Sequence, residues 1–351
     1  ELVLRVLPDR DRQLDYFRKG QLDYHEIYTA RTWAEEMDFE AMNKGWAKAR
    51  RVFVKAPQGL YGFGMNLETP LFQNKNFRKG LQHLFNFEVV NRELMFDAYF
   101  RIVSTFEGTE YANTNLEPYG FDPAKASEHF QKAGFTKRGS DGILVNDQGQ
   151  RAAFSLTYGG SGMENHLTMI QNFYRRGGVD MRLQQLDRGS AFKKIREHAT
   201  EMFLLSMTAG YYPGPYNYFH SDFKSVPQTN NFFNYGTEKT DKLIETYRFS
   251  MDKQKRLDAM HELDRIIHDE AFYIPFWMGP YIRFVYYDYI EFPEFYYPKR
   301  ANNIMDAMTL WINPEKKKEV EEAIQNGAAI GDPQEPTDVD PYGVKAALEQ
   351  R

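Results

Sequence analysis

The sequence has no cysteine, and the features missing with it narrow what the protein can be. Without cysteine in 351 residues, disulfide bonds, thiolate metal ligands and cysteine nucleophiles are excluded. No apolar run approaches the roughly 20 residues that cross a bilayer, and Glu1 begins no signal peptide, so an export signal would lie upstream. The net charge is only −5, with basic residues interspersed among acidic ones, so no nucleic-acid partner is predicted.

Motifs of catalysis and cofactor binding are missing as well. His261 and Glu262 lack the second histidine that a zinc-binding helix carries four residues on. The glycine-rich turn at residues 159–162 lacks the Lys-Ser/Thr of a P-loop, so a plain tight turn is favoured. No Gly-x-Ser-x-Gly elbow occurs. The sequence therefore predicts no catalytic residue, no metal site and no cofactor.

What the sequence does contain is an alternation of strand and helix patterns, in a chain long enough for two domains. Strand, helix, strand, helix, strand in succession implies right-handed crossovers and a sheet covered by helices. The predicted strands of this series are 153–158, 179–186 and 202–207, and its helices are 164–175 and 190–198. Further helices are predicted at 9–19, 77–99, 123–133, 240–249 and 254–270, a helix or turn at 33–42, and further strands at 22–28, 51–55, 61–66, 272–277 and 283–287.

The stretch at residues 61–95 joins a short buried strand to an amphipathic helix. Pro70 ends the strand segment, and Phe77, Leu81 and Leu84 recur at helical spacing. The chain resembles the bacterial solute-binding proteins of family 5, the dipeptide and oligopeptide receptors of ABC importers. The residues that carry the resemblance are Met65, Asn66, Pro70, Leu71, Phe72, Asn74, Phe77, Arg78, Gly80, Leu81, Leu84 and Asn86. Tyr99, Arg101, Ser104, Phe106 and Glu110 stand where the microcin C and oligopeptide subgroup carries its motif.

The resemblance implies an α/β fold with a periplasmic-binding-protein-like, two-lobe architecture and two hinge crossings. Residues 1–66 would form part of the first lobe, which is expected to be incomplete, because the matching segment would sit midway along the first lobe of the family fold. Residues 67–273 would form the second lobe, and residues 274–315 would return to the first. Residues 316–351 are a charged C-terminal tail, predicted to be poorly ordered or to wrap the surface.

The resemblance also implies a function. The expected role is that of an extracytoplasmic, periplasmic substrate-binding component, which captures an oligopeptide or modified peptide between two closing lobes. Its partner would be an ABC permease in the inner membrane, and it would not be an enzyme. Two alternatives stay open. One is an oligosaccharide receptor of the same fold, and the other is a hydrolase of an oligomeric substrate that uses Asp222, Glu107 and Glu110.

Most candidate ligand-binding residues follow predicted strands, because loops at the carboxyl ends of strands line the ligand crevice in α/β lobes. Arg101 and Phe106 lie in the loop after the predicted 77–99 helix, and Trp277 lies at the second hinge crossing. The loop TAGYYPGPYNYFHSD at residues 208–222 is rich in tyrosine, and about half of its tyrosines are expected to pack on their own lobe. Asn66, at a hinge crossing, is included although a role as a backbone organiser is favoured. The candidates are Tyr28, Thr29, Trp33, Asn66, Arg101, Phe106, Tyr211, Tyr212, Asn217, Tyr218 and Trp277.

The 208–222 loop also departs from the family pattern. Peptide receptors of the family usually carry an aspartate in this loop that pairs with the free amino terminus of the ligand. Here the nearest acid is Asp222, beyond the aromatic run. A buried ammonium without a carboxylate is costly, so recognition of a free amino terminus is in doubt and a sugar or modified peptide would also suit the loop.

Overall fold

The computed structural model describes residues 12–293 and 310–350, together with residues 3, 7, 297, 299 and 300. It divides into two compact units, a first unit of residues 1–56 and 279–351 and a second unit of residues 57–278. These boundaries differ from the predicted ones at 66/67 and 273/274. The reason is that the strands at Tyr61–Met65 and Tyr273–Pro275 pair with each other inside the sheet of the second unit.

The first unit begins with short elements that follow the predicted pattern. They are α1 (Gln13–Arg18), β1 (Tyr24–Glu26), α2 (Ala30–Glu35), α3 (Glu40–Asn43) and β2 (Ala47–Phe53). Residues 9–11 of the predicted first helix lie outside the described residues. The predicted helix or turn at 33–42 is two short helices. Thr29 begins α2 by accepting a hydrogen bond from the Thr32 amide, and the extended backbone of Phe39 separates α2 from α3.

The second unit opens with β3 (Tyr61–Met65), α4 (Pro70–Gln73), α5 (Lys75–Leu84), α6 (Phe87–Met95), β4 (Phe100–Arg101), α7 (Pro123–Lys132), β5 (Lys137–Arg138) and β6 (Leu144–Val145). The prediction of one helix over residues 77–99 was wrong, because α5 and α6 are separate helices. Phe85 has an extended backbone (φ −82°, ψ 105°), and the Asn86 side chain begins α6 by accepting a hydrogen bond from Val89 N at 3.1 Å.

The second unit then builds its sheet. The elements are β7 (Ala153–Gly159), α8 (Glu164–Gly177), β8 (Asp180–Leu186), α9 (Arg188–Arg196), β9 (Met202–Ser206), α10 (Tyr216–Phe219), α11 (Glu238–Phe249), α12 (Lys253–Glu270), β10 (Tyr273–Pro275) and β11 (Trp277–Met278). The sheet order is β10-β3-β9-β7-β8. Strand β7 is parallel to β8 and β9, as the alternation predicted, whereas β3 is antiparallel to β9 and to β10.

The first unit is completed by β12 (Tyr281–Tyr287), β13 (Ile290–Glu291), β14 (Trp311–Ile312), α13 (Pro314–Asn326), β15 (Thr337–Val339) and α14 (Val344–Glu349). Its sheet order is β1-β12-β2-β15. The tail was predicted to be poorly ordered or to wrap the surface, and in its described residues it includes β15 and α14. Strand β15 pairs in parallel with β2, and the Asp338 carboxylate accepts two hydrogen bonds from Arg51, at 2.6 and 2.7 Å. Among the described helices, none is long and apolar enough to cross a membrane.

Candidate functional site

The carboxyl edge of the second unit's sheet gathers segments that are far apart in the chain. Strands β7, β8 and β9 are parallel and end at this edge, and antiparallel β3 begins there. Met207 N, just after β9, donates a hydrogen bond to Leu60 O, just before β3, at 2.9 Å. The loop that leaves β9 therefore lies beside the segment that enters β3, in the position where α/β folds bind ligands.

A cavity of about 240 Å³ opens where these segments meet. Three predicted residues, Phe106, Asn217 and Tyr218, lie in its wall. Among the described residues that line it, Tyr218 carries the only ionisable side chain. We call this cavity the loop pocket. Its lining comprises residues 58–60, 105–106, 207–210, 213–215, 217–219 and 230. Its surface is therefore neutral, built from apolar side chains, amides and main chain.

Close backbone contact shapes one wall of the loop pocket. A Cβ atom added at Gly59 would lie 1.5 Å from Met207 O, far inside contact distance, so only glycine fits between β3 and β9 at this level. The opposite wall is held by α11, from which the Tyr247 hydroxyl donates a hydrogen bond to Pro213 O at 2.9 Å. The loop after β9 is thus attached at both sides rather than left free.

The tyrosines of the 208–222 loop divide into two pairs. Tyr216 donates a hydrogen bond to Asp222 Oδ2 at 2.7 Å and lies under the Arg248 guanidinium, 3.9 Å from the ring centre. Tyr218 packs on Phe232, and burial raises the pKa of its hydroxyl. Tyr211 and Tyr212 form an edge-to-face pair at 5.2 Å, with Tyr212 66% exposed, outside the pocket lining. Ligand contact by Tyr211, Tyr212 and Tyr218 stays a prediction.

Arg101 and Trp277 lie opposite each other in the pair β4–β11. The Arg101 guanidinium lies 4.3 Å above the centre of the Phe85 ring and donates to Phe276 O at 3.2 Å. Burial lowers the pKa of Arg101 to about 9. Trp277 is buried and stacks on Phe276 at 4.5 Å. Arg101 faces a separate cavity of about 10 Å³, the space of about one water molecule.

Asn66 has a structural role. Its Nδ2 donates to the carbonyls of His198 and Thr200, each at 3.1 Å, and its Oδ1 accepts from Glu68 N at 3.0 Å and from Asn234 Nδ2 at 2.7 Å. A primary amide has two donors and two acceptor positions, so all four are occupied. Asn66 therefore organises the backbone, the role favoured for it from its place at a predicted hinge crossing, and ligand contact by Asn66 stays a prediction.

The remaining predicted residues belong to the first unit. The Tyr28 side chain is 55% exposed, and its hydroxyl donates to Glu26 Oε2 at 2.9 Å. Thr29 caps α2 through its hydroxyl, and Trp33 packs against the core of the unit. Ligand contact by these three residues stays a prediction.

Several pocket residues were missed from the sequence, notably Gln58, Gly59, Leu60, Met207 and Asn230. The first three precede a predicted strand, whereas crevice residues are expected in loops that follow strands. An antiparallel β3 places its start at the same edge, and no local pattern signals that orientation.

The carboxylates considered for a hydrolase lie outside the lining of the loop pocket. Asp222 accepts a hydrogen bond from Tyr216, and Glu110 pairs with Lys253 at 2.7 Å. Glu107 is buried, and its Oε2 accepts from Ser104 N at 3.4 Å. Each carboxylate therefore has a partner within its own unit.

Comparison with known proteins gives consistent matches. The family model described as "Bacterial extracellular solute-binding proteins, family 5 Middle" matches residues 1–230. The probable peptide-binding protein YejA of Agrobacterium fabrum is 23% identical over 306 residues, covering 76% of this chain and 49% of the relative. The uncharacterized protein YejA of Escherichia coli is 21% identical over 319 residues, covering 81% and 53%. The chain spans about half the length of these curated relatives.

Solved structures share the fold. The oligopeptide-binding protein AppA of Bacillus subtilis, in complex with a nonapeptide, has a TM-score of 0.71 at 15% identity, covering 88% of this chain and 59% of AppA. NikA of Brucella suis, in complex with Fe(III)-EDTA, has a TM-score of 0.72 at 21% identity, covering 88% and 61%. The predicted periplasmic-binding-protein-like α/β fold is confirmed by these structures.

Proposed function

Because the chain belongs to the bacterial extracellular solute-binding proteins of family 5, we propose that it serves in the substrate-binding component of an ABC importer for oligopeptides or modified peptides. The family is the one predicted from residues 61–95, whereas the microcin C branch stays a prediction. Peptide as the cargo is supported by similarity to the probable peptide-binding protein YejA of Agrobacterium fabrum, to AppA in complex with a nonapeptide and to Helicobacter pylori DppA in complex with the peptide STSA.

The observation that carries the proposal is the neutral, aromatic-walled loop pocket at the carboxyl edge of the sheet. A pocket that buries an apolar group and offers a few fixed amide and carbonyl groups is suited to binding rather than to chemistry. Its described lining contains no carboxylate to pair with an ammonium. We therefore assign it to an uncharged part of the ligand, a side chain or a blocked terminus.

The transport context follows from the family. We place the protein outside the cytoplasmic membrane, in the periplasm or an equivalent extracytoplasmic space, as the family description implies. Its partner would be the ABC permease, and a relative in Deinococcus radiodurans is described as a probable ABC transporter-binding protein. Capture of the ligand between two closing lobes stays a prediction. We propose no catalytic activity for it.

A receptor for oligosaccharides is the second candidate. The edge-to-face pair of Tyr211 and the 66% exposed Tyr212 offers flat aromatic faces beside a neutral pocket, and such faces also suit sugar rings. NikA with Fe(III)-EDTA illustrates that this fold holds ligands other than peptides.

Native mass spectrometry of the protein purified gently from its own source is the first test, because a molecule released on denaturation identifies the cargo. Calorimetric titration with STSA, with N-acetylated STSA and with maltotriose then compares the classes. We expect the acetylated peptide to bind at least as tightly as the free one, since the pocket offers no carboxylate. Binding of maltotriose alone would favour the second candidate, and binding of no probe together with no released molecule would contradict both.

Variants of the exposed tyrosine pair locate the site. The double variant Tyr211→Ala, Tyr212→Ala should bind the identified ligand at least tenfold more weakly. Stacking of a flat ligand group on an aromatic side chain contributes on the order of 1–3 kcal/mol. Phe249→Ala is the control, since Phe249 is 70% exposed on the same unit but lies at the end of α11, outside the 208–222 loop. An unchanged dissociation constant in the tyrosine variant would remove the pair from the site.

A further inference from the structure

Asp264 of α12 is a buried carboxylate without a cation. The side chain is 0% exposed, and no basic side chain in the described part of the chain forms an ion pair with it. Burial raises the pKa of Asp264, and the hydrogen bonds from Ser104, Asn113 and Thr105 oppose this shift. Burial of a carboxyl group costs free energy of folding unless hydrogen bonds compensate for the lost hydration, and Asp264 has three such bonds.

All three partners belong to one loop, residues 104–113, which we call the clamped loop. Asp264 Oδ2 accepts from Ser104 Oγ at 2.6 Å and from Asn113 N at 3.0 Å, while Oδ1 accepts from Thr105 N at 2.8 Å. Ser104 and Thr105 begin the loop and Asn113 ends it. One carboxyl group therefore joins the two ends of the loop.

The clamped loop forms a wall of the loop pocket. Thr105 and Phe106 line the pocket, and Phe106 N donates to Ser104 Oγ at 2.9 Å, so the hydroxyl that binds Asp264 also orients the Phe106 backbone. Farther along the loop, Glu107 O accepts a hydrogen bond from the backbone N–H of Gln58 at 2.8 Å, and Gln58 is another pocket residue. Movement of the clamped loop would therefore displace Phe106 and Gln58 together.

The arrangement needs an acceptor atom at both carboxyl positions. Each of the two oxygens accepts from a backbone amide, Thr105 N on one side and Asn113 N on the other. An asparagine would direct its NH₂ group at one of these amides whichever way it is flipped, whereas both oxygens of a carboxyl group can accept. A buried donor that faces another donor loses its hydrogen bond entirely.

We propose that Asp264 is a positioning residue for ligand binding, whose carboxylate clamps the 104–113 loop so that Phe106 forms the wall of the loop pocket. This inference rests on the proposed function for its ligand, but the geometry of the clamp is independent of what the ligand is. Asp264 does not line the pocket and acts through the clamped loop.

Amide hydrogen exchange tests the clamp without any ligand. In Asp264→Asn we expect the amide of Thr105 or of Asn113 to exchange at least tenfold faster, while amides in the middle of β9 and α8 change little. Asp258→Asn, an exposed aspartate on the same helix, should leave both amides unchanged. Leu263→Ala, a buried neighbour in α12, controls for a general loss of stability. Unchanged protection of both amides in Asp264→Asn would overturn the proposal.

A second variant and a binding measurement complete the test. If Asp264→Asn does not fold, Ser104→Ala removes the 2.6 Å donor and should accelerate exchange of the Phe106 amide; unchanged exchange there would count against the clamp. In titrations with acetylated STSA we expect at least fivefold weaker binding by Asp264→Asn and less than twofold change in Leu263→Ala. Equal losses in the two variants would reduce Asp264 to a structural residue. If the unaltered protein binds no peptide, the proposed function fails, whereas the exchange result still judges the clamp.

Discussion

Replacement of Gly59 by alanine should damage both the stability of the second unit and its loop pocket. Gly59 lies just before β3, where the chain passes against the exit of β9. An added Cβ would lie 1.5 Å from Met207 O and 2.5 Å from Met207 C, and both are backbone atoms that cannot rotate away. The two segments must separate to accept the methyl group, and the pocket that they enclose must change with them.

The cost can be worked out from two contributions. Overpacking of this kind costs about 1–3 kcal/mol. Separation of the segments also weakens the hydrogen bond from Met207 N to Leu60 O, now 2.9 Å long, which contributes about 1 kcal/mol. We therefore expect the free energy of unfolding to fall by about 2–4 kcal/mol, a large share of the 5–15 kcal/mol typical of a domain.

Urea unfolding followed by circular dichroism measures the loss of stability, and titration with the identified ligand measures the loss of affinity, expected to be at least tenfold. Gly214→Ala is the matched control. Gly214 also lines the pocket, but a Cβ there would meet no atom within 4 Å, so its stability should change by less than about 0.5 kcal/mol. If Gly59→Ala and Gly214→Ala unfold with the same free energy, the close contact between Gly59 and Met207 is refuted.

Three further predictions concern Asn66, His25 and Asp338. Asn66→Ala should lower the free energy of unfolding by about 2–4 kcal/mol, because it leaves two buried carbonyl groups unpaired. The control Asn217→Ala, at an exposed position, should change this free energy by less than about 0.5 kcal/mol. Equal effects of the two substitutions in urea unfolding would contradict the structural role of Asn66. Burial lowers the pKa of His25 to about 4, below its unfolded value of 6.5. Neutral His25 therefore makes its full contribution to the stability of the first unit above pH 6.5. As the pH falls toward 4, the free energy of unfolding should decrease by about 2 kcal/mol, a value reduced for the partial exposure of the ring. Thermal unfolding of His25→Gln across that range should lack this loss, and a slope identical to that of the unaltered protein would reject the assignment. Asp338→Asn should weaken the bond from Arg51 and destabilise the β2–β15 pairing by about 0.5–1 kcal/mol, seen as faster amide exchange in β15 with β12 unchanged.

Local patterns were sufficient for elements whose signals lie within a few residues. The Asp122-Pro123 pair predicted the start of α7, and Asp122 does accept hydrogen bonds from the amides of Ala124 and Lys125. The same reasoning failed at Phe85, where an apolar residue continued the helical spacing although its backbone is extended. The hydrophobic period specifies which side is buried, but a break between two helices that bury the same side leaves that period intact.

The sequence by itself determined the family, the alternation of β7, α8, β8, α9 and β9, and the expectation that the loop after β9 would form part of a site. Only the tertiary structure decided what that loop meets. The antiparallel pairing of β3 with β9 brings Gly59 to Met207, and the carboxylate of Asp264 reaches the loop that carries Phe106. The physical reason is sequence separation. A helix or strand is specified by neighbours a few residues away, whereas these contacts join residues roughly 150 positions apart, and packing and hydrogen bonding across the folded unit select them.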